Sequence, residues 1–396
     1  MKSIVIVGGG IVGLATAYKL SITQKNISII VLEKESDVGK HQSTHNSGVL
    51  HCGIYYPPGS LKAKFAVNGI KQMTDFCKSY SLPHEICGKV IVATTPSEKI
   101  YLTELYNRGV SNKLSGLKKL TSEELQQIEP YVNKNSTGIH VPQEGIVDYK
   151  SVVNKLKELI INNGHHVICN QTVQYIDKDN KYISTNTDVY KFDILINCAG
   201  LYSDIVGKLT SDIKSRIVPF RGEYYKLKKE SEYLVKNLIY PVPNSNFPFL
   251  GVHFTRLIHG GIEAGPNAVL AFSREGYKIT NINLADIWNY VSFIGFWRFI
   301  YKYKWMCLRE FYISINRKRF CKELQKLVPN ITENDLEHGG TGVRAQAMNC
   351  NGELISDFEL HYDNGICNVI NAPSPAATAS LAIADEIIKQ IKIHDN

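Results

Sequence analysis

Two apolar runs near the start of the chain, SIVIV at 3–7 and ISIIVL at 27–32, bracket the mixed segment IVGLATAYKL. This order predicts strand, helix and strand over residues 1–34. Residues 35–60 are rich in Gly, Ser, His, Asn and Pro, which predicts a long loop. A helix is expected over 61–80, a strand over 87–95, and polar helical chain over 98–130 ending at Pro130. Further on, LKELIINNG predicts a helix, HHVICNQTVQYI and KYISTNT a strand pair, and FDILINCAG a buried strand ending at Ala199-Gly200. Residues 216–275 alternate apolar and polar positions between Pro and Gly, the pattern of an antiparallel sheet. Residues 284–327 are helical and aromatic-rich. The chain finishes with a glycine turn in GGTGVR, a short strand in GICNVINA and a helix from about Thr378 to Ile393. No internal repeat or low-complexity linker interrupts the pattern.

The first strand runs into a glycine pattern, G-x-G-x-x-G, at Gly8, Gly10 and Gly13, and Glu33 stands at the end of the second strand. Each part has a task. Gly8 permits a tight turn, Gly10 lets the backbone approach a pyrophosphate, and Gly13 lets helix and strand pack closely. The helix start offers unpaired N–H groups and a positive dipole end to phosphates. Glu33 suits a ribose hydroxyl pair. The expected fold class is therefore α/β, α+β overall. A Rossmann-like dinucleotide domain (1–85, 145–215 and 335–396) is interleaved with a mixed or antiparallel-sheet substrate domain (86–144 and 216–334) that carries the aromatic segment 285–306.

With 396 residues, 44% hydrophobic and 21% charged, the chain can bury a large core. The net charge of +8 comes from scattered lysines. It fits an acidic substrate or an anionic membrane surface, while the lack of a long Lys/Arg block argues against nucleic acid. Nine cysteines, an odd number without C-x-x-C, argue against a zinc site or a disulfide framework and for a reducing compartment. No metal is expected. The first strand begins at Ser3, so no targeting peptide is expected ahead of it. No run reaches the ~18 apolar residues of a membrane span. The expected location is cytoplasmic, with peripheral contact on the inner membrane face as an option.

The glycine pattern does not choose between FAD and NAD. Two further segments favour FAD: the strand FDILINCAG, ending in small residues, and the turn NAPSPAATAS, whose following helix can face a negative flavin edge. This arrangement resembles the D-amino-acid oxidase-like flavoproteins. Within them, HNSGVLHCGIYYPPGSLKA, VPFRGEYY, PVPNSNFPFLGVHFTR, GPNAVLAFSREGY, GGTGVRAQ and NAPSPAATAS resemble the L-2-hydroxyglutarate dehydrogenase/oxidase family, over nearly the whole chain. The resemblance implies noncovalent FAD, oxidation of L-2-hydroxyglutarate to 2-oxoglutarate with hydride transfer to flavin N5, and electrons passed to a quinone, another acceptor or oxygen. It departs from the family at Cys52, where a small residue such as alanine is expected, and at Thr44, where glycine is. A related enzyme acting on an amino acid or glycerol 3-phosphate stays open, as does a non-catalytic flavin-bound interaction protein.

Oxidising a 2-hydroxy acid needs a base at the hydroxyl and cations at the carboxylates. His45, His51 and His253 are the candidate bases, with His51 first and His253 second. His45 has a second reading, supporting cofactor phosphate or the loop. Arg344, in GGTGVRAQ, is the candidate for the carboxylate beside the reacting carbon, because its planar fork suits that group. Arg256 is the candidate for the second carboxylate, and Tyr55 and Tyr224 are candidate donors. Lys34, Ser43 and Thr44 are candidate phosphate or ribose contacts. The resemblance places Asn46 and Ser47 beside the flavin ring, Val173 at adenine, and Ala199, Gly200, Pro373, Ala376, Ala377 and Thr378 along the cofactor. The aromatic segment 285–306, with Arg298, Lys302 and Lys304, fits either an interfacial membrane helix or internal packing.

Overall fold

The computed structural model describes residues 1–243 and 249–391. Part of the PVPNSNFPFLGVHFTR segment (244–248) and the expected helix end at Ile393 lie outside the described residues.

Among the described residues one six-stranded sheet carries the chain start. Its order is Glu359–Asp363, Ile366–Asn371, Ile194–Asn197, Lys2–Val7, Ile27–Leu32 and His166–Ile168. Five strands are parallel, and only the edge strand Glu359–Asp363 is antiparallel. The central strands are apolar and buried, as expected where helices cover a parallel sheet. The helices Ile11–Thr23, Tyr149–Asn162, Leu61–Ser79 and Ala376–Ile391 pack with this sheet into the largest hydrophobic cluster. The chain returns to the sheet three times after its first two strands, so this half of the molecule is discontinuous in sequence.

A nine-stranded sheet forms the second layer system. Its long strand Arg216–Leu227 pairs antiparallel with Leu336–Met348 from Arg216 opposite Met348 to Leu227 opposite Leu336. The strand Leu336–Met348, which sequence reasoning assigns to the cofactor half, therefore belongs to this sheet. The expected turn in GGTGVR is also corrected, because those residues continue the strand. Its glycines mark close backbone approach: a Cβ on Gly342 would meet the His45 carbonyl oxygen at 2.4 Å, and one on Gly339 the Tyr224 oxygen at 2.7 Å. The expected helical stretch 98–130 is a helix Pro96–Ser111, a short strand Lys118–Leu120 and a helix Ser122–Ile128.

The aromatic region forms the helices Leu284–Val291 and Ile294–Ile315, the latter kinked at Tyr303. It has two faces. Phe293, Phe296 and Phe299 are buried with Phe220 and Met348, whereas Trp288, Trp297, Tyr301 and Trp305 are each more than half exposed. Among the described residues no helix is long and apolar enough to cross a membrane.

Candidate active site

The strand Lys2–Val7 ends in Gly8 at φ +107°, a conformation that favours glycine. A Cβ there would meet the Cys198 oxygen at 2.4 Å, and one on Gly13 would meet the Gly8 oxygen at 2.1 Å. The turn is thus fixed by close approach of helix, strand and the end of Ile194–Asn197. Gly10 caps the helix Ile11–Thr23 without a side-chain bond, and Ser43 Oγ accepts from the Ile11 N–H at 2.8 Å. Buried Glu33 accepts from the Gly9 N–H (2.7 Å) and the Glu35 N–H (2.9 Å), which holds its carboxylate at the strand end.

A cavity of about 740 Å³ begins here and runs across the molecule. Gly8, Gly10, Glu33, Lys34, Ser43 and Val173 line one part of it. His45, Asn46, Ser47, Ala199 and Gly200 line it too, with Pro373, Ala376, Ala377 and Thr378 around the start of the last helix. His51, Tyr55, Tyr224, His253 and Arg344 line it as well. These features fit a dinucleotide: a cradle that a Cβ would fill, a helix N-terminus beside it, and an acid at the expected strand end. The buried Tyr55 hydroxyl has no hydrogen-bond partner among the described residues, so it is available to a bound molecule.

Several expected contacts have other duties. Thr44 does not line the cavity; its hydroxyl donates to the Gly39 carbonyl at 2.7 Å and braces the loop. Lys34 is clasped between Glu35 and Glu275. His45 packs at a tilt against the Tyr277 ring, with Nδ1 3.1 Å from the His41 carbonyl. Asn46 folds its own loop, its amide donating to the Gln42 carbonyl and its oxygen accepting from the Gly48 N–H. Arg256 is a correction. It stands three residues after His253 on the strand His253–Arg256, so alternation turns it to the other face. There it pairs with Glu85, away from the cavity.

Around His51 the chain assembles a charged array that sequence reasoning missed. His51 Nδ1 is 3.6 Å from Glu144 Oε2, and Lys89 Nζ is 2.5 Å from the same oxygen. Lys89 and Glu144 are both fully buried. The Lys89 ammonium sits over the rings of Tyr55 (4.5 Å) and Tyr240 (4.9 Å). Burial alone would raise the Glu144 carboxyl, but Lys89 and His51 outweigh it and hold the group down at about 2. Glu144 Oε1 accepts from the Cys52 N–H and thiol, each at 3.2 Å. Burial and the Glu144 charge push that thiol well above its usual range, so Cys52 is a protonated donor, not an oxidisable thiolate. Glu144 lies in a turn with no motif around it. A buried lysine opening the apolar strand Lys89–Ala93 was the available clue, since such a charge demands a partner.

His253 differs from His51. It stacks on Tyr240 at 3.9 Å between ring centres, and its Nδ1 meets the Gly251 carbonyl at 2.9 Å. Burial, with Arg344, His51 and Lys89 adding to it, pushes His253 down to about 3 against the raising effect of that carbonyl. It is neutral, with the proton on Nδ1 and an acceptor at Nε2. Arg344 is hydrogen-bonded to Tyr224 and lies 5.5 Å from the Phe249 ring. Among the described residues it has no carboxylate partner.

Comparisons with known proteins give the family and the fold. The family described as FAD dependent oxidoreductase matches residues 3–390. The chain is 48% identical over 388 residues to L-2-hydroxyglutarate dehydrogenase of Indibacter alkaliphilus, covering 97% of each chain. It is 41% identical over 409 residues to the human mitochondrial L-2-hydroxyglutarate dehydrogenase, covering 98% of this chain and 88% of that one. Among solved structures, the FAD-bound L-α-glycerophosphate oxidase of Mycoplasma pneumoniae has a TM-score of 0.79 at 23% identity, covering 100% of this chain and 96% of that one. Glycine oxidase of Geobacillus kaustophilus scores 0.74 at 14% identity, with the same coverage.

Proposed function

Since the chain belongs to the L-2-hydroxyglutarate dehydrogenase family of FAD-dependent oxidoreductases, we propose that His51 is the base and Arg344 the carboxylate anchor in its oxidation of L-2-hydroxyglutarate to 2-oxoglutarate. The carrying observation is the His51–Glu144–Lys89 array on the wall of the cavity.

FAD, when bound, supplies the acceptor for the hydrogen and electron pair that leave the substrate carbon. The glycine turn, Glu33 and the start of the last helix would hold it. Arg344 receives the carboxylate next to the reacting carbon and fixes which hydrogen is presented. Its guanidinium is already oriented by Tyr224, so little ordering is needed on binding. His51 takes the hydroxyl proton at Nε2, because Nδ1 faces Glu144. The imidazolium that forms is stabilised by a carboxylate that is already ionised. Lys89 keeps that carboxylate charged and in place. His253, too weakly basic to hold a proton at neutral pH, stays neutral in the wall of the cavity and leaves the single hydroxyl proton to His51. We propose the division of labour between the two sheets on the same basis: the parallel sheet holds FAD, and the large sheet supplies His253 and Arg344.

The exposed row Trp288, Trp297, Tyr301 and Trp305, flanked by Arg298, Lys302 and Lys304, supports peripheral contact with an anionic membrane. A membrane quinone is then the proposed electron acceptor. Flotation with anionic liposomes tests the contact. Wild type should float, and a Trp297→Ser/Trp305→Ser variant should remain in the dense fraction. For the reaction itself, the test is a substrate panel. L-2-hydroxyglutarate should drive turnover, with glycerol 3-phosphate and amino acids near background. Faster turnover of either rival would reassign the substrate.

A further inference from the structure

A dicarboxylate needs a second cation, and Arg256 faces away from the cavity. We propose that Lys62 and Arg108 hold the substrate carboxylate remote from the reacting carbon and so select dicarboxylic over monocarboxylic 2-hydroxy acids. This assignment rests on the function proposed above.

Among the described residues, five lysine and arginine side chains line the cavity: Lys34, Lys40, Lys62, Arg108 and Arg344. Lys34 is taken by Glu35 and Glu275 at the Glu33 part of the cavity. Lys40 is exposed and adjoins Asp37. With Arg344 at the first carboxylate, Lys62 and Arg108 remain.

Both sit against the loop that carries the base. Arg108 Nη1 donates to the Tyr55 carbonyl at 2.8 Å, and Nη2 reaches the Tyr101 hydroxyl at 3.4 Å. The Lys62 ammonium lies 5.3 Å from the Tyr56 ring centre. Asn112 locks the same loop by donating to the carbonyls of Gly53 and Tyr56. Among the described residues neither cation has a carboxylate in ion-pair contact. The nearby acid, Asp357, is occupied in capping a helix, where it accepts from the N–H groups of Leu61 and Lys62 and also from that of Phe358. Burial pushes Lys62 down to about 8, with Asp357 only partly countering it. An ammonium desolvated without a contacting counter-charge is stabilised by an entering anion. The Arg108 guanidinium, held on the carbonyl of Tyr55 while Lys62 lies over the ring of Tyr56, adds the planar fork that a carboxylate matches.

The test uses FAD-loaded enzyme and two substrates of equal chain length, L-2-hydroxyglutarate and L-2-hydroxyvalerate, which lacks the remote carboxylate. Lys62→Met and Arg108→Met should each lower kcat/KM for the dicarboxylate by about 10- to 100-fold, chiefly through KM, as expected for a lost charged contact. Each should leave the value for hydroxyvalerate within about twofold. Lys62→Arg, which keeps the charge, should retain most of the preference. Glutarate should inhibit wild type more strongly than valerate, a measurement that needs no variant. A parallel fall for both substrates, an unchanged substrate ratio, or equal inhibition by the two acids would overturn the assignment. Wild type inert to L-2-hydroxyglutarate would instead overturn the function, and this assignment with it.

Discussion

His51 Nδ1 faces Glu144 Oε2 at 3.6 Å across residues 93 positions apart in sequence, and that contact leaves the other ring nitrogen for the substrate. Glu144→Gln keeps the shape and removes the charge. Its effect should fall on kcat, by about 10- to 100-fold, with little change in KM, because the interaction strengthens as His51 gains a proton. Steady-state kinetics of the variant beside wild type checks this.

Lys89 and Glu144 should be coupled in stability. Lys89→Met leaves a buried carboxylate without its ammonium and should cost about 3–5 kcal/mol. Adding Glu144→Gln should recover much of that loss, since a neutral pair needs no counter-charge. Urea unfolding of the two single variants and the double variant measures the coupling.

Acid should destabilise the fold through His253. Its folded form stays neutral down to about pH 3, whereas the unfolded chain takes a proton near the ordinary histidine value. The unfolded state therefore binds the extra proton between these values, and stability falls as pH falls through that window. The loss from this residue is on the order of 2 kcal/mol by pH 5. His253→Gln should show a smaller drop in Tm between pH 7 and pH 5 than wild type.

Gly13→Ala should purify without flavin colour, because its Cβ would meet the Gly8 carbonyl oxygen at 2.1 Å and force helix and strand apart. Absorbance of bound flavin per chain measures this directly.

The start of the parallel sheet was legible because its signals are local. Gly8, Gly10, Gly13 and Glu33 fall within one strand–helix–strand unit, so spacing alone places them. His51 and Arg344, singled out from short segments with functional residue types, both line the cavity. What escaped depends on tertiary approach. Lys89 and Glu144 meet only when a strand end and a distant turn are brought together, and nothing near Glu144 marks it. Arg256 shares a strand with His253, but the odd spacing sends it to the opposite face. The glycines of GGTGVR signal close packing against His45 and Tyr224, which looks identical to a turn until the partner strand is known.

The central claim is that His51 deprotonates L-2-hydroxyglutarate as the substrate is oxidised. Anaerobic mixing of the FAD-loaded enzyme with this acid tests it in a single turnover, read as bleaching of the oxidised flavin spectrum. Wild type should bleach and release 2-oxoglutarate. His51→Gln, with flavin content unchanged, should bleach about 10²- to 10⁴-fold more slowly, the range for a lost general base. An unbleached wild-type spectrum, or a His51→Gln rate equal to wild type, would contradict the account.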